Sequence, residues 1–436
     1  MNFMDWAREN THPDMAGWKP EALADVVVLD LSCGSFAGLF ASSLLSELGA
    51  RVIRVEPPGG DIARKMSPFG ESINGTGLPY LIEGRSKEHI TLDVRQPKGR
   101  EILKHFVKKA DVLIETFAPG AMEEMGIGPR TLCEVNRRLI YIAMNSYGQA
   151  GELSEQAGKA NWKCYDVIAQ ALSGFCSTTG IPDSMVEYPE HSRVPTRLGI
   201  WIGWVAGGAF AGLSAMVALF FREFSGKGQS IDVSPAEALM SLNNYHLHYY
   251  HLTGQVLERP GNMEPAMHPY CYVRCKDGLI FIAGHADLNW KALCKLIDRP
   301  DLVEAYPGLK DRTDPVKAVE IVRELEKFTL LRTREELVSL WLAYKGGPGV
   351  TVAGEVLTPA EAMELDYWYE RKSLMKVKEE PWGELLLQGP AAKMSETPPR
   401  IKWVCREVGA DNEFVYLNFL GYSSKRLDEL KAEGVV

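Results

Sequence analysis

Short unbroken apolar runs alternate with amphipathic stretches through the first third of the chain. Val26 to Leu31 reads VVVLDL, closes on Ser32-Cys33-Gly34, and gives way to a small-residue stretch of helical period reaching Leu48. Gly49 ends that helix, and a second run spans Arg51 to Glu56. Continuous apolar strands separated by helices predict parallel strands covered on both faces. The pattern repeats as a strand at Ile90–Leu92, a helix over Lys98–Lys109, a strand at Val112–Glu115, a short helix from Ala121 and a strand at Leu139–Met144. An α/β fold with a large Rossmann-like parallel sheet follows. Two longer helices are expected next, one over Val167–Phe175 and one over the apolar run Leu198–Phe221, before the Gly-rich corner Ser225–Gln229 leads into a strand at Ser230–Val233.

Leu198–Phe221 carries no charge over 24 residues, which is long enough to cross a bilayer. Its glycines at 203, 207, 208 and 212 suit close helix packing as well as they suit a membrane, and nothing else in the chain resembles it. A buried helix with no membrane role is therefore expected. Beyond residue 255 the character changes. Tyr272–Arg274 and Leu279–Ala283 flank Lys276-Asp277-Gly278, a hairpin signal, and a charged helical region runs from Asp314 to Tyr344. The expected organisation is a large α/β domain over 1–255, a smaller α+β domain over 256–358, and a C-terminal segment over 359–436 returning to the large domain.

Composition adds limits. With 48 basic and 57 acidic residues among 436, the chain carries a net charge of -9, which disfavours nucleic acid and anionic lipid as partners. The eight cysteines form no CxxC pair, as expected of reduced thiols, and Cys271 and Cys275 read as core residues rather than metal ligands. Residues 1–20 contain Asp5, Glu9 and Asp14 and no apolar segment, so neither a signal nor a transit peptide is expected and the cytoplasm is the default compartment. No GxGxxG or nucleoside-triphosphate loop follows the first strand, which argues against a nicotinamide enzyme. Against the acidic whole, residues 84–109 hold eight basic residues, including Arg85, and three acids. Such a patch suits a polyphosphate ligand, or is simply a solvated helix face.

Taken in order, VVVLDLSCGSFAG, LGARVIRVEPPGGDIAR, ITLDVRQPKGREIL, DVLIETFAPGAMEEMG, YDVIAQALSG, FSGKGQSIDVSPAEA and CKDGLIFIA resemble the class III CoA-transferase family of CaiB/BaiF type. The resemblance implies a large and a small domain, two chains threaded through each other as linked rings, and a CoA thioester as substrate with no bound cofactor and no metal. Position by position, relatives place CoA against the turn after the first strand, here Ser35 and Phe36, and often carry a catalytic Gln there that this chain lacks. The adenosine end matches Pro57 to Arg64. Thr116 and Ala118 stand where relatives supply an Asn and an Arg. Lys163, Tyr165 and Asp166 fit a Lys-x-Tyr-acid pattern beside the reaction centre, so Lys163 and Asp166 either line a site or form a structural ion pair.

Transferases of this family attack the acyl-CoA carbonyl with an Asp about two dozen residues before the Gly-Lys-Gly-Gln corner. Counting back from Lys227 gives Trp204, or Gly203 with a shift of one, and no Asp or Glu occurs between Glu190 and Glu223. Racemase relatives pair that Asp with a His, and Tyr165 stands at the His position. The resemblance thus implies one subunit of a hetero-oligomeric CoA-transferase whose homologous partner keeps the Asp. Divided enzymes of this kind act on bulky acids such as benzylsuccinate in anaerobic aromatic degradation, with succinyl-CoA as donor. In such a chain Trp201, Trp204 and Phe210 either plug an unused, pseudo-active acyl pocket or, more conservatively, are ordinary helix packing. The alternatives are a homodimeric acyl-CoA isomerase or lyase working through Asp166 and Lys163, or a non-catalytic CoA-ester binding protein. His246, His248 and His251 read as an aromatic helix surface rather than a metal site. Cys164 beside Lys163 is either an activated or a buried thiol.

Overall fold

The computed structural model describes residues 2–15, 17–181, 195–243, 245–257, 259–344 and 352–436. The chain forms two compact units, the first comprising Met1–Cys176, Arg197–Leu247 and Asp366–Val436, the second Ser177–Thr196 and His248–Leu365.

The first unit is built on six parallel strands: β1 (Val27–Leu31), β2 (Arg51–Glu56), β3 (Lys87–Thr91), β4 (Val112–Glu115), β5 (Ile140–Met144) and β6 (Gln229–Val233). Their order is β3-β2-β1-β4-β5-β6. The period of two sorts the strand side chains between two cores. Val28, Val52, Ile114 and Ile142 face one layer with Phe36, Leu39 and Trp204, while Leu29, Ile53, Leu113 and Tyr141 face the other with Phe106 and Tyr416. Ser35 begins α1 (Phe36–Glu47), its hydroxyl accepting the Ala37 N–H at 3.3 Å. On the opposite face lies α2 (Pro97–Val107), opened by a proline at its first position, where the missing N–H costs nothing.

Two further helices, α3 (Asp166–Leu172) and the 24-residue α4 (Ile202–Ser225), complete the first layer with α5 (Pro235–Leu242). The glycines of α4 let it lie close against its neighbours. A Cβ at Gly208 would stand 2.6 Å from the Ala37 carbonyl oxygen, and one at Gly207 2.7 Å from the Pro235 ring. Among the described residues α4 is the one helix long and apolar enough to cross a membrane, and half of it is buried. The helix expected to be buried is covered on one side only, because Phe220, Phe221 and Phe224 on its outer side are exposed.

The C-terminal segment closes the β3 edge of the sheet. Asp411 accepts the His89 N–H at 2.7 Å and donates its own N–H to the His89 carbonyl, and the Asn412 side chain accepts the Thr91 N–H at 2.8 Å. An edge strand covered in this way offers no free ladder to another chain. A β-hairpin at Leu374–Glu379 and Gly383–Gln388, not anticipated from the Glu, Lys and Pro content, contributes Leu385 and Leu387 to the first core.

The second unit holds an antiparallel hairpin, β7 (Tyr270–Cys275) and β8 (Gly278–Ala283), with β9 (Val352–Glu355) added beside β8. Cys271, Val273 and Cys275 alternate into a core with Trp290, Ile321 and Leu325, so the two cysteines pack as apolar residues. The charged region expected to be helical forms α6 (Pro315–Thr329) and α7 (Arg334–Ala343).

Candidate functional site

In an open parallel sheet the chain leaves β1 toward β2 on one side and returns to β4 on the other, which opens a crevice at the carboxyl ends of β1 and β4. The turn after β1, Ser32–Ser35, and the residue after β4, Thr116, meet there. The Thr116 hydroxyl accepts the Cys33 N–H at 2.9 Å. Gly34, in the left-handed region at φ 64°, donates its N–H to Asp61 at 2.9 Å. The turn is therefore tied to the segment after β2 on one side and to that after β4 on the other.

Beneath this turn runs a buried chain of charges. Asp30, inside the β1 apolar run, meets Arg54 of β2 at 3.0 Å and Lys87 of β3 at 3.6 Å, all three fully buried. Arg54 also pairs with Asp61. Glu56, at the end of β2, receives two hydrogen bonds from Arg64 at 2.7 Å and stands 2.9 Å from His89 Nδ1. Burial alone would raise the Asp30 carboxyl, but Arg54, Lys87 and two serine hydroxyls hold it well below the usual carboxylate range. Against burial, hydrogen bonds from Arg64 and His89 likewise hold Glu56 low. For Lys87 burial outweighs the attraction of Asp30 and brings the ammonium down to about 8. Breaking such a pair leaves an uncompensated buried charge, a loss of roughly 3–5 kcal/mol.

This network corrects part of the sequence reading. Arg64 is not a free phosphate donor: its guanidinium is buried against Glu56, stacks on Tyr80 at 4.5 Å and donates to the Arg406 carbonyl. Arg85 is likewise consumed by Glu47 at 2.6 Å and Glu83 at 2.9 Å. Other cations of the 84–109 stretch have internal partners, as in the Arg95–Asp93, Lys98–Glu433 and Lys104–Glu101 pairs. Part of the surplus counted along the sequence is therefore neutralised in space, by Glu47, Glu83, Asp30 and Glu433 from outside the stretch. Pro57 is half-buried at the end of β2, its carbonyl accepting the Gly60 N–H at 2.8 Å. Thr116 and Ser35 are fully buried and shape the turn from within.

The segment before α3 supplies the other wall. Lys163 is half-buried, near enough for its charge to act on the Cys33 thiol, which burial and Asp61 together push up. Tyr165 is exposed and precedes α3. No activated thiol results at Cys164, which is buried and raised to about 11 by that burial. Asp166 is not paired with Lys163. One carboxylate oxygen accepts the N–H groups of Gly203 at 2.8 Å and Trp204 at 3.2 Å, and the other accepts the Gln170 amide at 2.7 Å. Asp166 thus caps α4, and burial raises its pKa despite these donors.

Trp204 is 5% exposed, and its indole N–H donates to the Cys164 carbonyl at 2.7 Å. Its ring lies 5.6 Å from Phe36 and 5.1 Å from Trp201, and Phe36 stacks on Trp201 at 4.7 Å. Gly203 has no room for any side chain, because a Cβ there would stand 2.8 Å from Ala169 Cβ and 3.0 Å from the Asp166 carboxylate. Position 204 is the one of the two that points a side chain into the layer beneath the turn, and an aromatic cluster fills that space.

Sequence reasoning missed the Asp30–Arg54–Lys87 group. Its signal was present, since a charged residue inside a strand buried on both faces requires a partner on a neighbouring strand. Among the described residues no cluster of His, Cys, Asp and Glu is arranged to hold a metal ion.

Comparison with known proteins agrees with this architecture. The model of CoA-transferase family III matches residues 23–412. The succinyl-CoA–D-citramalate CoA-transferase of Chloroflexus aurantiacus is 32% identical over 96% of this chain and 98% of its own length. A succinyl-CoA–L-malate CoA-transferase alpha subunit of Chloroflexus aurantiacus is 29% identical over 95% of this chain and 92% of its own. The crystal structure of a CaiB/BaiF family protein from Brucella suis superimposes with a TM-score of 0.76 at 25% identity, covering 91% of this chain and 99% of that one. With a family match that begins just before β1 and ends beyond the C-terminal hairpin, on a parallel sheet shared with a solved relative, this chain belongs to CoA-transferase family III.

Proposed function

We propose that this chain is the subunit of a hetero-oligomeric CoA-transferase that lacks the nucleophile, and that a homologous partner subunit carries the attacking Asp. The donor in this reading is succinyl-CoA and the acceptor a dicarboxylic acid, with benzylsuccinate as the bulky aromatic member of that class. The observation that carries it is the state of position 204. A buried indole with its N–H committed to a backbone carbonyl cannot form an acyl anhydride, and the neighbouring carboxylate of Asp166 has one oxygen capping α4 and the other bound by the Gln170 amide.

Two further features support a partner chain. The outer side of α4 exposes Phe220 (68%) and Phe224 (75%) beside Phe221 and Val217, a contiguous apolar strip of the kind interfaces cover. A relative of nearly the same length is named as an alpha subunit, and the two named relatives act on succinyl-CoA with C4 to C5 hydroxy-diacids. The homodimeric isomerase or lyase reading loses its acid–base pair, because Asp166 faces helix amides rather than an open pocket.

Native mass spectrometry of the untagged protein from its source cells tests the proposal, followed by a transferase assay with succinyl-CoA and D-citramalate, L-malate or benzylsuccinate. A mixed complex with a homologue, active only when both chains are present, is expected. A homodimer that transfers CoA unaided would overturn the reading, and a homodimer that binds CoA esters without turnover would reassign the chain as a binding protein.

A further inference from the structure

A second polar cavity lies elsewhere in the first unit, lined by none of the residues around the turn after β1. The N-terminal helix Phe3–Thr11 sets Met4, Arg8 and Thr11 on one face by their spacing, and these residues line an open cavity of about 610 Å3. Tyr367, Arg371 and Lys393 form its far side. The two walls are pinned together by His12 Nε2, 2.8 Å from the Glu370 carbonyl oxygen, and by Lys372, 3.3 Å from Asp14.

Charge in this cavity is unbalanced. Asp14 is taken by Lys372 and His12, and Glu370, whose backbone carbonyl meets His12, also lines the cavity. The other acids of the helix, Asp5 and Glu9, are not among the lining residues. Among the described residues Arg8, Arg371 and Lys393 form no ion pair with a carboxylate. Lys393 is half-buried, donates to the Pro390 carbonyl, and is held below its usual pKa by burial and by the neighbouring Arg371. The acid whose charge reaches it, Glu47, is already bound by Arg85 at 2.6 Å. Four cations, Arg8, Arg371, Lys372 and Lys393, line the cavity against two carboxylates, Asp14 and Glu370, and in a chain of net charge -9 this local excess suits an anion supplied from outside. Arg371 lies over the Tyr367 ring, its guanidinium carbon 5.5 Å from the ring centroid.

We propose that this cavity is a binding site for a small anion carrying two or more negative charges, held by Arg8, Arg371 and Lys393. A phosphate ester and a dicarboxylate share that chemistry, and the test separates them. Isothermal titration of the purified full-length chain, or of its complex if one is isolated, is performed at low ionic strength with saturating CoA so that any CoA site is filled. Pyrophosphate, ADP and succinate are titrated in turn. Saturable binding of at least one is expected, weakened at least tenfold in the Arg371→Ala/Lys393→Gln double variant and weakened also by Arg8→Ala. Pyrophosphate and ADP binding alike would identify phosphate as the recognised group, tighter ADP binding would add a ring seated against Tyr367, and succinate alone would identify a dicarboxylate. Arg8 and Arg371 are exposed, so the variants are expected to fold, and unchanged melting curves check this. Absence of binding by all three anions overturns the proposal, as does binding that the double variant leaves unchanged.

Discussion

Asp166 is the residue whose role the structure changes most, and its replacement tests the reasoning directly. Asp166→Ala removes the acceptor of the Gly203 and Trp204 N–H groups, both buried at the start of α4, and releases the Gln170 amide. Loss of an N-cap costs about 1–2 kcal/mol. Leaving buried donors without an acceptor adds about 1–3 kcal/mol. Against this, burial already raises the Asp166 pKa, so the carboxylate gives back part of its capping energy as desolvation. A net loss of about 2 kcal/mol is expected, which corresponds to roughly 30-fold faster opening of the first turn of α4. Asp166→Asn keeps one oxygen for the two helix amides and loses the charge and the acceptor of the Gln170 amide, so a loss of about 1 kcal/mol is expected. The sign of the pH dependence follows from the raised folded pKa. The stabilising contribution is complete below the unfolded value near 4 and declines as pH rises through the folded value, a slope that Asp166→Asn removes. Hydrogen exchange of peptides covering residues 202–206 reads the local opening, and urea unfolding followed by tryptophan fluorescence reads the stability. If Asp166→Ala exchanges like the wild type, the cap does not hold α4. If Asp166→Asn leaves exchange and stability intact yet lowers transferase activity of the assembled enzyme more than 100-fold, Asp166 is catalytic and the assignment of its role is wrong.

Trp204→Asp is expected to produce no CoA exchange by this chain alone: the substitution empties an aromatic cluster at about 3–5 kcal/mol and places a second carboxylate beside Asp166, and chromatographic detection of a new CoA ester would refute this. Asp30 and Glu56 hold depressed pKa values, so their stabilisation is present above the unfolded value near 4 and is lost as pH falls below it; acid unfolding curves of Asp30→Asn should start lower and be flatter in that range. Glu115, buried beside Tyr141 and raised to about 8 by burial, is protonated at neutral pH, and its contribution declines as pH rises from about 4.5 toward 8. Glu115→Gln should therefore be more stable relative to wild type at pH 8 than at pH 5, as measured by melting temperature. Cys164, buried and raised to about 11, should resist iodoacetamide in the native chain and react after unfolding, as peptide mass spectrometry would show.

The amino-acid sequence by itself determined the strands and their class. β2 and β4 fall where the apolar runs place them, and β1 and β5 within a residue, because strands buried on both faces need apolar runs whatever surrounds them, whereas the expected Ile90–Leu92 misses the polar half of β3, which begins at Lys87, and β6 is a mostly exposed edge strand. The same local reading establishes that residues 191–222 hold no carboxylate, so the start of α4, where relatives place the Asp, supplies no nucleophile of its own. Which charges are available is a different matter. A count along residues 84–109 cannot register that Arg85 meets Glu47, or that Lys98 meets Glu433, since those partners lie 38 and 335 residues away. Arg64 reads as a phosphate ligand for the same reason until Glu56 is seen folded against it. Asp166 reads as a reactive acid until the N-terminus of α4 is placed over it. Periodicity is a local property that solvent exposure writes into each segment, whereas the neutralisation of a charge depends on which distant segments the fold brings together. The covered and uncovered sides of α4 were decided only there: glycines set one side against α1 and α5, and the phenylalanines of the other are exposed.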